Sequence, residues 1–152
     1  VGSAFGRKLL GYALWVGKGR EVKCAVVHKA LDNFKARIRQ LTRRSGGRSM
    51  AQVVEKLRPY VLGWKAYFGM AQTPKVWREL DKWLRHRLRA IQLKQWKWPR
   101  TIYREIKALG ARENVALQVA GNSRRWWRNS DRLLKTVLTI AYFDGLGVPR
   151  LS

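Results

Sequence analysis

The chain has 152 residues, of which 33 are Lys or Arg and nine are Asp or Glu, giving a formal net charge of +24. Hydrophobic residues make up 46% of it and eight Trp are interleaved with the cations, enough apolar mass to fold, which excludes a disordered basic tail. A single Cys excludes an internal disulfide, and two distant His exclude a zinc site of ordinary spacing.

So basic a chain repels itself, and a polyanion relieves that repulsion. Nucleic acid is the partner class this favours. An acidic membrane surface is second, because no helix pattern is basic on one face and broadly apolar on the other without Trp and Tyr that a core could use. No apolar run is long enough to span a bilayer, and the start at Val1 lacks a secretory segment and reads as the middle of a longer protein. The lone Cys fits a reducing compartment. The length allows one compact domain or two small ones.

From Leu9 to Val16 apolar residues alternate, with Leu10, Tyr12, Leu14 and Val16 on one side. Gly17 to Arg20 supplies a turn, and Val22, Cys24 and Val26 alternate again, which predicts a β-hairpin. A lone hairpin is marginal in water, so it needs a sheet or helix to lean on. Leu31, Phe34, Ile38 and Leu41 follow the helical period and predict a first helix from about Lys29 to Arg44. Ser49 with Gln52 is a capping box for a second helix, whose stripe runs through Val53, Leu57, Tyr60, Val61, Trp64 and Phe68, kinked at Pro59 and closed by Gly69. Thr73 followed by Pro74 predicts the cap of a third helix reaching about Lys97. Leu80, Leu84, Leu88 and Ile91 share one of its sides with Trp77 and Trp83; Lys82, Arg85, Arg89 and Trp96 lie opposite, and Arg87 falls inside the apolar arc. Short helices are then expected over about Thr101 to Leu109 and Arg112 to Ala120, separated by Gly110. Asn122 to Asn129 is polar and basic, and Ser130 is read as the cap of a last helix through about Phe143. The expected fold is mainly α: an N-terminal β-hairpin, a three-helix bundle and a small C-terminal helical subdomain.

Catalytic groups are sparse. The four Asp (Asp32, Asp81, Asp131, Asp144) form no neighbouring pair of the kind that holds two metals. Asp32, Asp131 and Asp144 sit beside helix ends, and Asp81 is placed to pair with Arg85 at i,i+4. There is no phosphate-cradling Gly loop, no nucleophile elbow and no Cys/His couple, so no catalytic residue, metal ligand or cofactor site is assigned. The consecutive basic helices differ from an ordinary solvated face, because few Glu balance them. Trp64, Trp77 and Trp83 read as core. Trp96, Trp98, Trp126 and Trp127 lie among Lys94, Lys97, Arg100, Arg124, Arg125 and Arg128, where stacking on unpaired bases competes with packing.

The run Leu57-Arg58-Pro59-Tyr60-Val61-Leu62-Gly63-Trp64-Lys65-Ala66-Tyr67-Phe68-Gly69 resembles the signature of the maturase-specific region of group II intron-encoded proteins. Leu80-Asp81-x-Trp83-Leu84-Arg85-x-Arg87-Leu88-Arg89, then Lys94-Gln95-Trp96-Lys97, Tyr103-x-x-Ile106-x-x-Leu109-Gly110 and Trp127-x-x-Ser130 are similar to the same region in family order. Leu9-Leu10-Gly11-Tyr12 resembles the hairpin that ends the palm of these reverse transcriptases. The resemblance implies a palm-end hairpin over residues 1–28, a thumb or domain X over 29–98, and a small DNA-binding-like region over 99–152. It implies partners as well: group II intron RNA, an RNA–DNA or RNA template–primer duplex, target DNA, and the fingers and palm, whose Asp-Asp site is not in this sequence. Mg2+ is expected only in that palm, and the location is cytoplasmic in a bacterium or an organellar matrix. The chain by itself is expected to bind rather than to polymerise.

A thumb grips an A-form duplex through phosphates and 2′-hydroxyls, which calls for rigid helices bearing Arg and Lys. The candidates are Arg37, Arg39, Arg43, Arg44 and Arg48 along the first helix and loop, Lys82, Arg85, Arg89, Lys94 and Lys97 along the third, and Arg124, Arg125 and Arg128 downstream. The rival reading is a stand-alone basic DNA-binding module of a recombinase or transposase, reading base edges with one helix.

Overall fold

The computed structural model describes residues 8–152, with side chains from Leu10 onward. The start of the predicted 1–28 segment, residues 1–7, lies outside the described residues. The expectation of a mainly helical chain behind an N-terminal hairpin holds.

The predicted first strand is broken in two. Leu10 and Gly11 both adopt positive φ, 50° and 86°, a primed tight turn that matches the twist of the flanking strands. The sheet therefore has three antiparallel strands in chain order, β1 (Lys8–Leu9), β2 (Tyr12–Val16) and β3 (Val22–Val26), with Leu14 opposite Cys24. Gly11 is required twice over, by its φ and because a Cβ there would sit 3.1 Å from the Phe68 ring. The sheet leans on the end of the second helix. Tyr12 donates its hydroxyl proton to the Tyr67 carbonyl, Tyr67 donates to the Leu10 carbonyl at 2.9 Å, and the Tyr12 and Phe68 rings lie 5.2 Å apart.

Helix α1 (His28–Leu41) buries Phe34, Ile38 and Leu41, and stops three residues before the predicted end. Thr42 terminates it: its backbone N–H and its hydroxyl both donate to the Ile38 carbonyl. Arg43 and Arg44 thus leave the helix. Helix α2 (Met50–Phe68) starts at the predicted capping box, with Ser49 and Gln52 bonding reciprocally, and runs through Pro59. Trp64 packs on Phe34, Phe68 and Trp77 at ring separations of 4.4, 4.6 and 5.3 Å, which joins α1, α2 and the next helix. That helix, α3 (Pro74–Trp96), begins with Pro as predicted, although Thr73 makes no capping hydrogen bond.

Beyond α3 come α4 (Pro99–Ala108) and α5 (Glu113–Gly121), separated by Gly110 at φ +91°, close to expectation. The predicted last helix is not there. Ser130 lies inside the short helix α6 (Trp126–Asp131), where its hydroxyl donates to the Trp126 carbonyl at 2.6 Å. The chain then runs irregularly, burying Leu134 and Leu138 completely, and Thr139 caps a short α7 (Ile140–Gly145). Side-chain hydroxyls compete with backbone ladders at both places, so the more productive cap cannot be chosen from sequence spacing.

Helix α3 is the axis of the molecule. Leu80, Leu84, Leu88 and Ile91 join the core with α1 and α2, as predicted. Its other side, expected to face solvent, is buried too, against α4, α6, α7 and the tail. Arg85 is 0% exposed: Nη1 donates to Asp81 at 3.2 Å, and Nη2 reaches Asp144 at 3.0 Å and the carbonyls of Val148 and Pro149 at 3.3 and 3.1 Å. Asp81 in turn accepts from the backbone N–H of Leu151 and Ser152 and from the Ser152 hydroxyl, at 2.8–2.9 Å. Arg150 clamps the other oxygen of Asp144 through two donors, holding that carboxyl below the usual range, with Arg85 adding to the effect. Arg58 and Lys65 on α2 hold the Gly147 and Arg150 carbonyls at 2.9 and 2.8 Å, so residues 147–152 form a strap across α2 and α3.

Breaking this network leaves a buried charge uncompensated. Asp81→Ala is expected to cost about 3–5 kcal/mol in urea unfolding, whereas Asp81→Ala with Arg85→Met is expected to recover most of that loss, because no charge remains to be satisfied. Equal losses in the two variants would show that the strap's backbone bonds, rather than the ion pair, carry the stability.

Candidate nucleic-acid interface

On α3, Trp83, His86, Arg87 and Ala90 fall at the i, i+3, i+4, i+7 spacing of one helical stripe. That stripe lies between the C-terminal end of α1 and the start of α6. Arg87 enters the arc that sequence reading assigned to the core, but it meets no carboxylate: Nε donates to the Thr42 hydroxyl at 2.8 Å and Nη2 to the Thr42 carbonyl at 3.4 Å. Its guanidinium lies 5.5 Å from the centre of the Trp83 ring, and so does that of Arg39. Two cations thus share one indole. Burial, with Arg39 as a second cause, lowers the Arg87 pKa.

Arg44 bridges to the C-terminal part. Its Nε donates to the Ala90 carbonyl at 3.3 Å, and its guanidinium lies 4.2 Å from the Trp126 ring centre. Trp127 meets Trp126 edge-on at 5.7 Å and stacks on His86, with ring centres 3.7 Å apart and its carbonyl 2.8 Å from His86 Nε2. The contacts close a circuit from Thr42 through Arg87, His86, Trp127, Trp126 and Arg44 back to the α1 end. Among the described residues none of its cations has a carboxylate within ion-pair distance, although six of the nine carboxylates pair with cations elsewhere. Cations held over aromatic faces and left unpaired present donors outward at little cost in side-chain freedom.

The other sequence candidates fall into three groups. Arg37, Arg43, Lys82, Lys94, Lys97, Arg124, Arg125 and Arg128 are exposed, and Arg48 is half-buried in the loop that Gln95 holds through the Arg48 carbonyl at 2.9 Å. Lys82 pairs with Glu79. Arg85 and Arg89 are corrections: both are buried and cannot reach a phosphate. Arg89 donates to the Leu138 carbonyl at 2.8 Å, and burial pushes its pKa down to about 10, opposed by Asp131. Of the stacking candidates, Trp96 and Trp126 pack against the core, Trp98 is 63% exposed beside Lys97, and Trp127 is 40% exposed with His86 against it. Trp83, read as core, is half-buried and packs against it, and it also carries the paired guanidiniums. Sequence reading missed His86 and Thr42; the α3 stripe could have signalled His86, but Thr42 emerges only once α1 is seen to end there.

Stability separates anchored from free cations. Arg87→Gln is expected to cost about 1–2 kcal/mol in chemical unfolding, because two bonds to Thr42 are lost. Arg39→Gln should stay within about 0.5 kcal/mol of the parent, as an exposed substitution. A reversed order would mean that Arg39, not Arg87, is the structural member of the pair.

Comparison with known families bears on this surface. The maturase-specific domain of group II introns matches residues 31–110, just over half of the chain and including most of α1 and all of α2 to α4, with the whole Trp83–Arg87 stripe. No curated protein matches the chain. The chain belongs to the group II intron maturase-specific domain family, which ties it to group II intron splicing.

Proposed function

We propose that this chain is the RNA-binding thumb of a group II intron reverse transcriptase–maturase, gripping intron RNA during splicing and the template–primer duplex during retrotransposition. The observation that carries the reading is the cluster of Arg39, Arg44 and Arg87 on Trp83 and Trp126, paired with no carboxylate among the described residues and lying within the family match or against it. A phosphate backbone recognised by shape needs such rigid donors and no catalytic group. In this reading residues 29–98 are the thumb, 99–152 contribute contacts to target DNA through Arg124, Arg125 and Arg128, and 1–28 join the fingers and palm. Mg2+ and the polymerising carboxylates belong to that palm, and the work is done in the bacterial cytoplasm or an organellar matrix. Arg37, Arg43, Arg48, Lys94 and Lys97 extend the grip along the backbone, and Trp98 is the most accessible stacking residue.

The test is a titration of the purified chain with a structured group II intron RNA and an unrelated RNA duplex of equal length, across a salt series. Both log K values should fall steeply with log salt, by about 0.9 or somewhat less per neutralised phosphate. Intron RNA should remain tighter by about tenfold or more near physiological salt, about 1.4 kcal/mol. Superimposed curves would place intron recognition outside this chain. Arg39→Gln with Arg43→Gln should weaken both RNAs evenly and reduce the slope by about two. Loss of preference for a single DNA site, without a change in slope, would instead favour a recombinase-like module.

A further inference from the structure

Away from the α3 stripe, the segment after α5 encloses an open cavity of about 590 Å3. Arg125, Arg128, Arg132 and Lys135 line it, together with the amides of Gln118 and Asn122. Among the described residues no carboxylate does: Asp131, the nearest in sequence, lines a neighbouring hollow with Lys82 and Arg89 and acts electrostatically on Arg89, and Lys135 borders both hollows. Arg132 and Lys135 were not assigned by the sequence, because a new helix was expected to begin at Ser130. In the fold, α6 ends at Asp131 and the chain turns so that they face the same space as Arg125 and Arg128.

Four cations around one hollow repel one another, and among the described residues none of them has an ion-pair partner. The wall is rigid beneath them: buried Asn129 donates to the Val119 carbonyl at 2.8 Å, which ties α6 to α5. Asn122 spends its amide N–H on the Gln118 carbonyl at 2.8 Å, leaving its side-chain oxygen as an acceptor, and the Gln118 amide is exposed. The volume lies within the ~300–1,000 Å3 of small-ligand sites, and four cations beside Leu133 favour an anionic occupant with an apolar face. Guanidiniums match phosphate geometry, while amides offer both donor and acceptor to a base edge.

We propose that this cavity takes one nucleotide of a single strand, its phosphate held by Arg125, Arg128, Arg132 and Lys135 and its base addressed by Gln118 and Asn122. It deepens the reading of the chain as a nucleic-acid binder, and rests on it for the source of the nucleotide. The test is an NMR titration of the full chain with AMP, inorganic phosphate and the tetranucleotide r(AAAA), at low salt. AMP should shift the Nε–H signals of Arg125, Arg128 and Arg132 and the side-chain amides of Gln118 and Asn122 ahead of those of Arg39 and Arg43. It should bind more tightly than phosphate, and the tetranucleotide more tightly still. Arg132→Gln with Lys135→Gln should weaken AMP by about tenfold or more, from the lost charge-assisted bonds. The charge-matched control, Lys56→Gln with Arg104→Gln, should leave it within about twofold.

Phosphate and AMP binding equally would overturn the base contact. Shifts spread evenly over all exposed Arg, or equal losses in the pocket variant and the control, would overturn the site. AMP outbinding the tetranucleotide would make it a free-nucleotide site and overturn the strand assignment. If the cavity binds as expected while intron and unrelated RNA curves superimpose, the cavity stands and intron recognition falls. The reverse pattern leaves the thumb reading intact without this site.

Discussion

The buried Arg85 guanidinium is the constraint around which the C-terminal half is organised. Removing a cation from water is tolerable only where most of its donors are met, and here Asp81, Asp144 and two tail carbonyls meet those of Nη1 and Nη2, while Nε is left without a partner. Those partners come from three places in the chain: one turn earlier on α3, the end of α7, and the strap beyond it. The ion network therefore fixes where the last residues run, and the strap shields the network from water in return. Replacing one member does not weaken a single contact. It removes the reason for the others to be where they are, since Asp81 also gathers the N–H groups of Leu151 and Ser152.

This arrangement divides the cations of α3 by role. Arg85 and Arg89 are turned inward onto α6, α7 and the tail, and Arg87 is turned toward Thr42 and Trp83. A helix of 23 residues that is buried on two sides leaves narrow stripes for solvent, so the phase of each Arg decides whether it stabilises the fold or faces a ligand. Arg87 does both. Its hydrogen bonds to Thr42 fix the end of α1, and the same geometry sets Arg39 and Arg87 at equal distances from one indole. A preorganised pair of this kind loses little side-chain entropy on meeting a phosphate, which favours it over the flexible Lys on the same surface.

The helical period was legible in the sequence wherever one element met one core. Phe34, Ile38 and Leu41 on α1, the Ser49–Gln52 box, and Leu80, Leu84 and Leu88 on α3 all behave as their spacing says. It failed where burial is carried by polar groups. An apolar stripe marks one buried face; a second face closed by Arg85, Arg89 and Asp81 has the composition of a solvated one, and the partners lie some sixty residues downstream. The irregular stretch after Asp131 was illegible for a related reason. Leu134 and Leu138 are at helical spacing and fully buried, yet the segment that presents them is mostly not helical. Of the predicted interface, the aromatic neighbours of the cations were legible and their grouping was not. Nothing in the spacing of Arg44 and Trp126 says that they touch.

With a net charge of +24, the fold must stabilise itself against its own field, and it does so unevenly. The buried Asp81 and the half-buried Asp144 are gathered at the strap, where they neutralise Arg85 and Arg150. The remaining pairs are exposed and worth little individually. The buried neutralisation thus lies on the side of α3 that packs, and among the described residues no ion pair falls on the Trp83 stripe or in the hollow behind α6. Keeping ion-pair partners away from these two places leaves two coherent positive surfaces, each built on an aromatic or amide support, and their mutual repulsion falls when a polyanion covers them.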